Sequence, residues 1–355
     1  MTALVGLIHS SPRLLPSLLP VAVTGVALGV SSQPEDWIGR WHADAKRGEG
    51  SWKLLAADLA VDRMTGKTQM RMRTYSDRIA ELARRESWAG LHHFGVAGQG
   101  PLVSAVAAAE LDLPLLLSFA DGEVENALYT QPSELRTALR GASAFTAPSR
   151  SEVEMVKRFL APPELSSVVV PALVVVQEAV ATSELRLGPR PLLGCWGRLG
   201  RDSGLAVLLE LADKLEASLA LIGPFEKAEM YDLSSLIDRH RLSERIFRLG
   251  DLAGPQALSA LRACDLAVFP MAGSGQTQYA LDALAAGAQV IASAVGPLAE
   301  VEGLATVAPS GDWELAVREA LGGWKAPLAR WADAHSPPTV SSRWKEAYQA
   351  AGLCT

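Results

Sequence analysis

The stretch FPMAGSGQTQYALDALAAGAQVIAS, residues 269–293, decides how this chain folds. An apolar run, LAVFP (266–270), breaks at Pro270 into a loop carrying Gly273 and Gly275. An alanine-rich segment of helical period follows, stops at Gly287 and gives way to a second apolar run, QVIAS (289–293). Strand, glycine loop, helix, strand is the unit from which parallel sheets are built. Asp282 is the lone acid on that helix, whose core side is Leu281, Leu284 and Ala285.

The same pattern extends in both directions. Strand-length apolar runs occur at 3–9, 21–30, 88–94, 113–119, 143–147 and 166–170, then at 191–197, 218–223, 245–250, 265–270, 288–293 and 304–308. Continuous rather than alternating apolar runs indicate strands buried on both faces, as in parallel sheets. The fold class is therefore α/β, with two Rossmann-like doubly wound parallel-sheet domains. The polar segment QEAVATSELRLGPRP (177–191) ends in Gly-Pro-Arg-Pro and serves as the linker. The expected domains are 1–178 and 179–338, with 339–355 a C-terminal helix, capped by Ser341 or Ser342, that packs back on the first domain.

A chain of 355 residues with 49% hydrophobic and 20% charged residues suits two domains, each with its own core. The net charge of −6, without a long basic run, leaves no footprint for nucleic acid. Cys195, Cys264 and Cys354 are far apart, lack metal-ligand spacing and read as reduced thiols of a cytoplasmic protein. LLPSLLPVAVTGVALGV (14–30) superficially resembles a secretory apolar region. Its prolines and short length favour a strand, short helix and strand at the start of the first domain. Residues 31–75 fit the scheme least, being too long for an ordinary loop and rich in tryptophan. TGKT (65–68) lacks the upstream glycine and spacing of a phosphate loop.

Ligands of doubly wound sheets sit beyond the carboxyl ends of the strands, which selects two loops of the second domain. GCWGRLGRDSG (194–204) offers Gly197 for close backbone approach and Arg198 and Arg201 as cationic forks for phosphate, with a helix expected to start near Ser203. The other reading is a tight turn with solvent-facing arginines. In the opening stretch, Ser274, Gly275, Gln276 and Thr277 run into a helix start whose amides favour a diphosphate. Asp282 is either a solvated helix residue or an acceptor for the two hydroxyls of a ribose.

On these blocks the chain resembles the family-4 retaining glycosyltransferases of GT-B fold. The resemblance is carried by GRLGRDSGLAVLLELA (197–212), LALIG (219–223), RIFRLGDLAGPQALSALRACDLAVFP (245–270) and LDALAAGAQVIASAVGPLAEV (281–301). WAGLHHFG (88–95), LDLPLLLSFADG (111–122) and RGASAFTAPSRSEVEMVKRF (140–159) resemble first-domain segments of that family more loosely. The resemblance implies a cytoplasmic enzyme of polysaccharide biosynthesis. It would grip a nucleotide-diphosphate sugar in the second domain and transfer the sugar, with retention and without metal or cofactor, to a glycan, lipid-linked or protein acceptor bound by the first. A lipid-linked acceptor would bring peripheral docking at the inner membrane face.

Carried over residue by residue, the diphosphate arginine falls on Arg198. The family's lysine falls on Ser203, with Arg201 as the candidate substitute. The paired acids fall on Ser274 and Asp282, so the first is absent and Ser274 and Gln276 are left to hold sugar hydroxyls. Ala120 replaces a histidine, which leaves Asp121 and His93 beside Arg198 as catalytic candidates; His92 and His93 read equally as packed strand residues. Trp37, Arg40 and Trp41 are candidates for the acceptor, since aromatic faces lie against sugar rings and arginine meets phosphate. The alternative is that these tryptophans anchor an irregular loop. Two other functions remain: a catalytically degenerate GT-B protein serving a partner glycosyltransferase as a binding subunit, and a nucleotide-sugar epimerase, for which the acids and histidine are not found.

Overall fold

The computed structural model describes residues 5–9, 23–27, 52–55, 68–96, 100–120, 122–130, 132–174, 188–225, 237, 242–252, 254–323 and 333–353. Trp37, Arg40, Trp41, Asp121, Cys354 and most of the 177–191 linker lie outside the described residues. The chain divides into two units, 1–173 with 337–355, and 174–336.

The first unit holds a seven-stranded parallel sheet. Its strands are β1 (Val5–His9), β2 (Val23–Ala27), β3 (Trp52–Leu55), β4 (Gly90–Phe94), β5 (Leu115–Ser118), β6 (Ala144–Ala147) and β7 (Ser166–Val169). Their order is β3-β2-β1-β4-β5-β6-β7, and every described pairing is parallel. Six of these match the apolar runs; β3, formed by WKLL, was not expected and occupies part of the segment that fitted least. The helices are α1 (Thr68–Glu86), α2 (Gly100–Leu111), α3 (Glu123–Thr130), α4 (Pro132–Arg140), α5 (Arg150–Phe159) and the C-terminal α10 (Pro337–Ala350).

Strand β5 shows why its sequence is apolar throughout. Leu115 and Leu117 enter a cluster with Ile79, Leu91, Ala107, Leu139 and Val156, whereas Leu116 enters another with Phe94, Trp344 and Tyr348. Successive side chains point to opposite faces, and both faces are covered. The second cover is α10, whose Val340, Trp344, Ala347, Tyr348 and Ala351 recur at helical spacing against β6 and β7. This helix begins at Pro337, so Ser341 and Ser342 lie inside it rather than capping it. Proline lacks the N–H that the first turn cannot use, so Pro337 and Pro338 start the helix instead of stopping it.

The second unit repeats the topology with six strands: β8 (Leu192–Trp196), β9 (Ser218–Ile222), β10 (Ile246–Gly250), β11 (Leu266–Phe269), β12 (Val290–Ser293) and β13 (Ala305–Val307). Their order is β10-β9-β8-β11-β12-β13, again with parallel pairing. Helices α6 (Leu205–Lys214), α7 (Gly254–Arg262), α8 (Thr277–Ala285) and α9 (Trp313–Leu321) join them. All six strands were legible as apolar runs. Strand order reverses between β8 and β11, so the loops leaving those two strands flank the switch point where such sheets bind ligands. No helix among the described residues is long and apolar enough to cross a membrane.

A buried polar network pins α10 to the first sheet. His92 Nδ1 lies 2.9 Å from the Tyr348 hydroxyl and Nε2 lies 2.7 Å from Ser118 Oγ, which also accepts from Thr146 at 2.8 Å. Trp344 packs on the same imidazole with ring centroids 5.3 Å apart. Tyr348→Phe keeps the packing and deletes one hydrogen bond from this network. Urea unfolding is expected to show a loss of about 1–3 kcal/mol with little change in slope.

Candidate functional site

At the carboxyl edge of the second sheet, the loops after β8 and β11 form one structure. Beyond Trp196 the chain continues alongside its neighbour: Gly197 N–H donates to Ile222 O at 3.1 Å and Leu199 N–H to Pro224 O at 2.9 Å. Residues Arg201–Ser203 then make a 3-10 turn, and α6 begins only at Leu205. On the other side, Ala272 N–H donates to Asp202 O at 3.1 Å. Gly204 has φ +72°, and a Cβ there would collide with the Pro270 carbonyl oxygen. This close approach demands glycine.

The expected helix start near Ser203 is thus displaced to Leu205, and Ser203 is part of the turn. It is buried; its Oγ donates to Gly200 O at 2.7 Å and accepts from Gly200 N–H at 3.0 Å. A hydroxyl closed on its own turn replaces the lysine that the family resemblance would place here. Arg198 and Arg201, by contrast, have exposed side chains at the sheet edge.

The loop after β11 passes through a second 3-10 turn, Ser274–Gln276, before α8 begins at Thr277. Ser274 and Thr277 are buried, whereas Gly275 is exposed, and a Cβ built on it meets no atom within 4 Å. The Gln276 amide turns back to the first loop. Its Oε1 accepts from Arg198 N–H at 2.8 Å and its Nε2 donates to Arg198 O at 3.1 Å. Its hydrogen-bonding groups are directed to the backbone of the arginine loop. Trp196 and Tyr279 pack edge to face beside this junction, with centroids 4.9 Å apart.

Asp282 sits on α8, half-buried, and accepts from Gln278 Nε2 at 2.8 Å. Burial lifts its carboxyl from an ordinary 3.8 to about 6, against the opposing pull of the Gln278 hydrogen bond.

The histidine candidates of the first unit go to opposite faces of β4. His92 belongs to the α10 network, while His93 is fully buried with Nδ1 2.8 Å from Ser104 Oγ on α2. This is the packed-residue alternative for both. A residue that the sequence reading passed over stands nearby. Glu123, at the start of α3, accepts at Oε2 from Val96 N–H at 2.8 Å and Ala120 N–H at 2.9 Å. It thereby joins the chain segments that follow β4 and β5. Burial pushes its carboxyl upward, while the Ala120 and Val96 hydrogen bonds hold it down. An acid in the first turn of a helix is the signal that could have marked it. Among the described residues no group of three or more His, Cys, Asp or Glu side chains is placed to hold a metal.

Residues 190–322 match the family model described as Glycosyl transferases group 1. Among solved structures, the chain is similar to HepE from Anabaena in complex with UDP-glucose, at 14% identity and a TM-score of 0.73, covering 98% of this chain and 99% of that one. It is also similar to the lipopolysaccharide outer core galactosyltransferase WaaB (11% identity, TM-score 0.71, covering 98% and 99%). A third is the sucrose-phosphate synthase of Thermosynechococcus elongatus (16% identity, TM-score 0.64, covering 98% and 94%). Comparison with curated proteins finds no match. The architecture is the two-domain Rossmann-like arrangement of GT-B proteins, and its second domain carries the glycosyltransferase group 1 match.

Because the folded state raises the Asp282 pKa, this carboxyl favours folding most below pH 3.8, and that advantage is lost as pH rises through about 6. Asp282→Asn is therefore expected to increase stability at pH 7, by about 1–3 kcal/mol, and to change it little near pH 3. Urea midpoints measured at the two pH values check this.

Proposed function

We propose that the protein is a glycosyltransferase whose second domain binds a nucleotide-diphosphate sugar at the joined loops after β8 and β11. The observation that carries this reading is the fusion of those loops at the switch point, inside the segment that matches Glycosyl transferases group 1. Arg198 supplies a guanidinium for the diphosphate, and the exposed backbone at Gly275, just before α8, lets the phosphate approach the helix end. Asp282 receives the ribose hydroxyls. The complex of HepE with UDP-glucose supports a donor of this class.

In the transfer, the bond between the anomeric carbon and the phosphate oxygen breaks, with its electron pair leaving on the diphosphate. The acceptor hydroxyl oxygen forms the new bond to that carbon, and its proton passes to the departing diphosphate. Preorganised cations and N–H dipoles stabilise that charge, which is where catalytic free energy is gained. Arg198 is the central group, with Arg201 as its neighbour on the same turn. With Ser203 bound to Gly200, Arg201 is the remaining candidate for the second cation in this loop. The family resemblance supports family 4, retention and a hydroxyl acceptor handled by the first domain. His93, buried against Ser104, takes no part in this proposal. A degenerate binding subunit is not favoured, because residues 190–322 match Glycosyl transferases group 1 and Arg198 stays exposed where charge on a departing diphosphate would need it.

Arg198→Ala is expected to weaken UDP binding about tenfold or more and to lower turnover of an accepted sugar nucleotide on the order of 10²-fold. Unchanged UDP affinity by calorimetry would remove the phosphate assignment. Asp282→Asn is expected to weaken UDP but not pyrophosphate. Wild-type affinity for UDP should also fall as pH drops through about 6, beyond the decline seen in Asp282→Asn. Equal losses for UDP and pyrophosphate would remove the ribose role.

A further inference from the structure

We propose that Gln276 is a positioning residue that sets the place of Arg198, making the arginine loop and the start of α8 a single phosphate-binding element. The inference rests on the nucleotide-diphosphate reading above. It reassigns a side chain that sequence alone would place against a sugar hydroxyl.

The Arg198 backbone offers one donor and one acceptor, and a primary amide presents the complementary pair in one plane. The observed contacts, 2.8 Å from Arg198 N to Oε1 and 3.1 Å from Nε2 to Arg198 O, use both. Arg198 N–H can only donate and its carbonyl can only accept, so the orientation of the amide is fixed by its partners. Gly197 makes room for it: with φ +148°, a Cβ there would stand 2.5 Å from Gln276 Oε1. Gln276 immediately precedes α8, so the same residue that fixes the arginine loop adjoins the start of that helix. A shorter Asn would not span the gap, and Met would fill it without either hydrogen bond. Glu matches Gln only when protonated; ionised, it sets a negative oxygen against the Arg198 carbonyl and brings charge toward the phosphate.

The test uses the full-length protein, with UDP titrated calorimetrically and unfolding followed by melting temperature. Gln276→Met is expected to weaken UDP binding about tenfold, the scale of two lost hydrogen bonds. That loss should shrink to nearly nothing in an Arg198→Ala background, because Gln276 acts through Arg198. Gln276→Glu, ionised at neutral pH, should lose at least as much as Gln276→Met, because its carboxylate cannot donate to the Arg198 carbonyl and adds negative charge beside the phosphate. Should Gln276→Met also melt early, its coupling with Arg198→Ala decides the matter, since a general loss of folding would not vanish in that background. Wild-type affinity in Gln276→Met, full additivity with Arg198→Ala, or wild-type affinity in Gln276→Glu at neutral pH would each overturn the role of Gln276 while leaving the donor site intact. Absence of UDP and GDP binding by the wild type would overturn both.

Discussion

The close backbone approach of two loops at the switch point is the constraint from which the second unit's candidate chemistry follows. Gly204 lies so near the Pro270 carbonyl that no side chain fits between them, and Ala272 hydrogen-bonds to Asp202 across the same seam. These contacts join segments far apart in sequence that leave adjacent parallel strands. Adjacent strands of opposite crossover direction are what bring the loops together, and glycine is what lets them touch. An arginine on one loop and a helix start on the other thereby become parts of one surface. Neither could be held in register by its own turn.

Asp282 shows the opposite economy. A carboxyl lifted to about 6 by burial is an expense to the folded state at neutral pH, and only one side-chain hydrogen bond, from Gln278, opposes the shift. An asparagine or leucine would pack the same helix without that penalty. A position on α8 that weakens the fold at neutral pH is more simply understood as serving a ligand than as serving the helix. A ribose would supply the two hydroxyl donors that an ionised carboxylate at this depth otherwise lacks.

The strands and their parallel pairing were legible because burial on both faces leaves little room for polar residues, as the leucines of β5 illustrate. Strand β3 escaped notice because WKLL is short and stands among tryptophans and glycines that suggested an irregular insert. The beginning of α10 was misplaced because Ser341 and Ser342 offered themselves as caps, although Pro337 and Pro338 suit a first turn. His93 read either as a catalytic candidate or as a packed residue, and alternation along β4 sends it and His92 to opposite faces of one sheet, each into a buried hydrogen bond. At the candidate site, Arg198 and Asp282 stand out as charged residues in apolar or glycine-rich settings. Gln276 and Ser203 are less transparent, because each is occupied by backbone groups, and backbone leaves no mark in a sequence.

The same device recurs in the first unit with different chemistry. Glu123 draws the N–H groups of Val96 and Ala120 onto one carboxylate oxygen, as Gln276 draws both backbone groups of Arg198 onto one amide. In both cases a side chain at the start of a helix fastens segments that follow neighbouring strands. Parallel sheets place such segments side by side but provide no ladder between them once the strands end, so something other than strand pairing must fix their geometry. An acceptor-only carboxylate suffices where two N–H groups converge. Where an N–H and a carbonyl of one residue must both be met, the side chain must both donate and accept, as the Gln276 amide does for Arg198 and the Ser203 hydroxyl does for Gly200. The choice of residue at each edge is therefore dictated by which backbone groups the topology leaves unpaired.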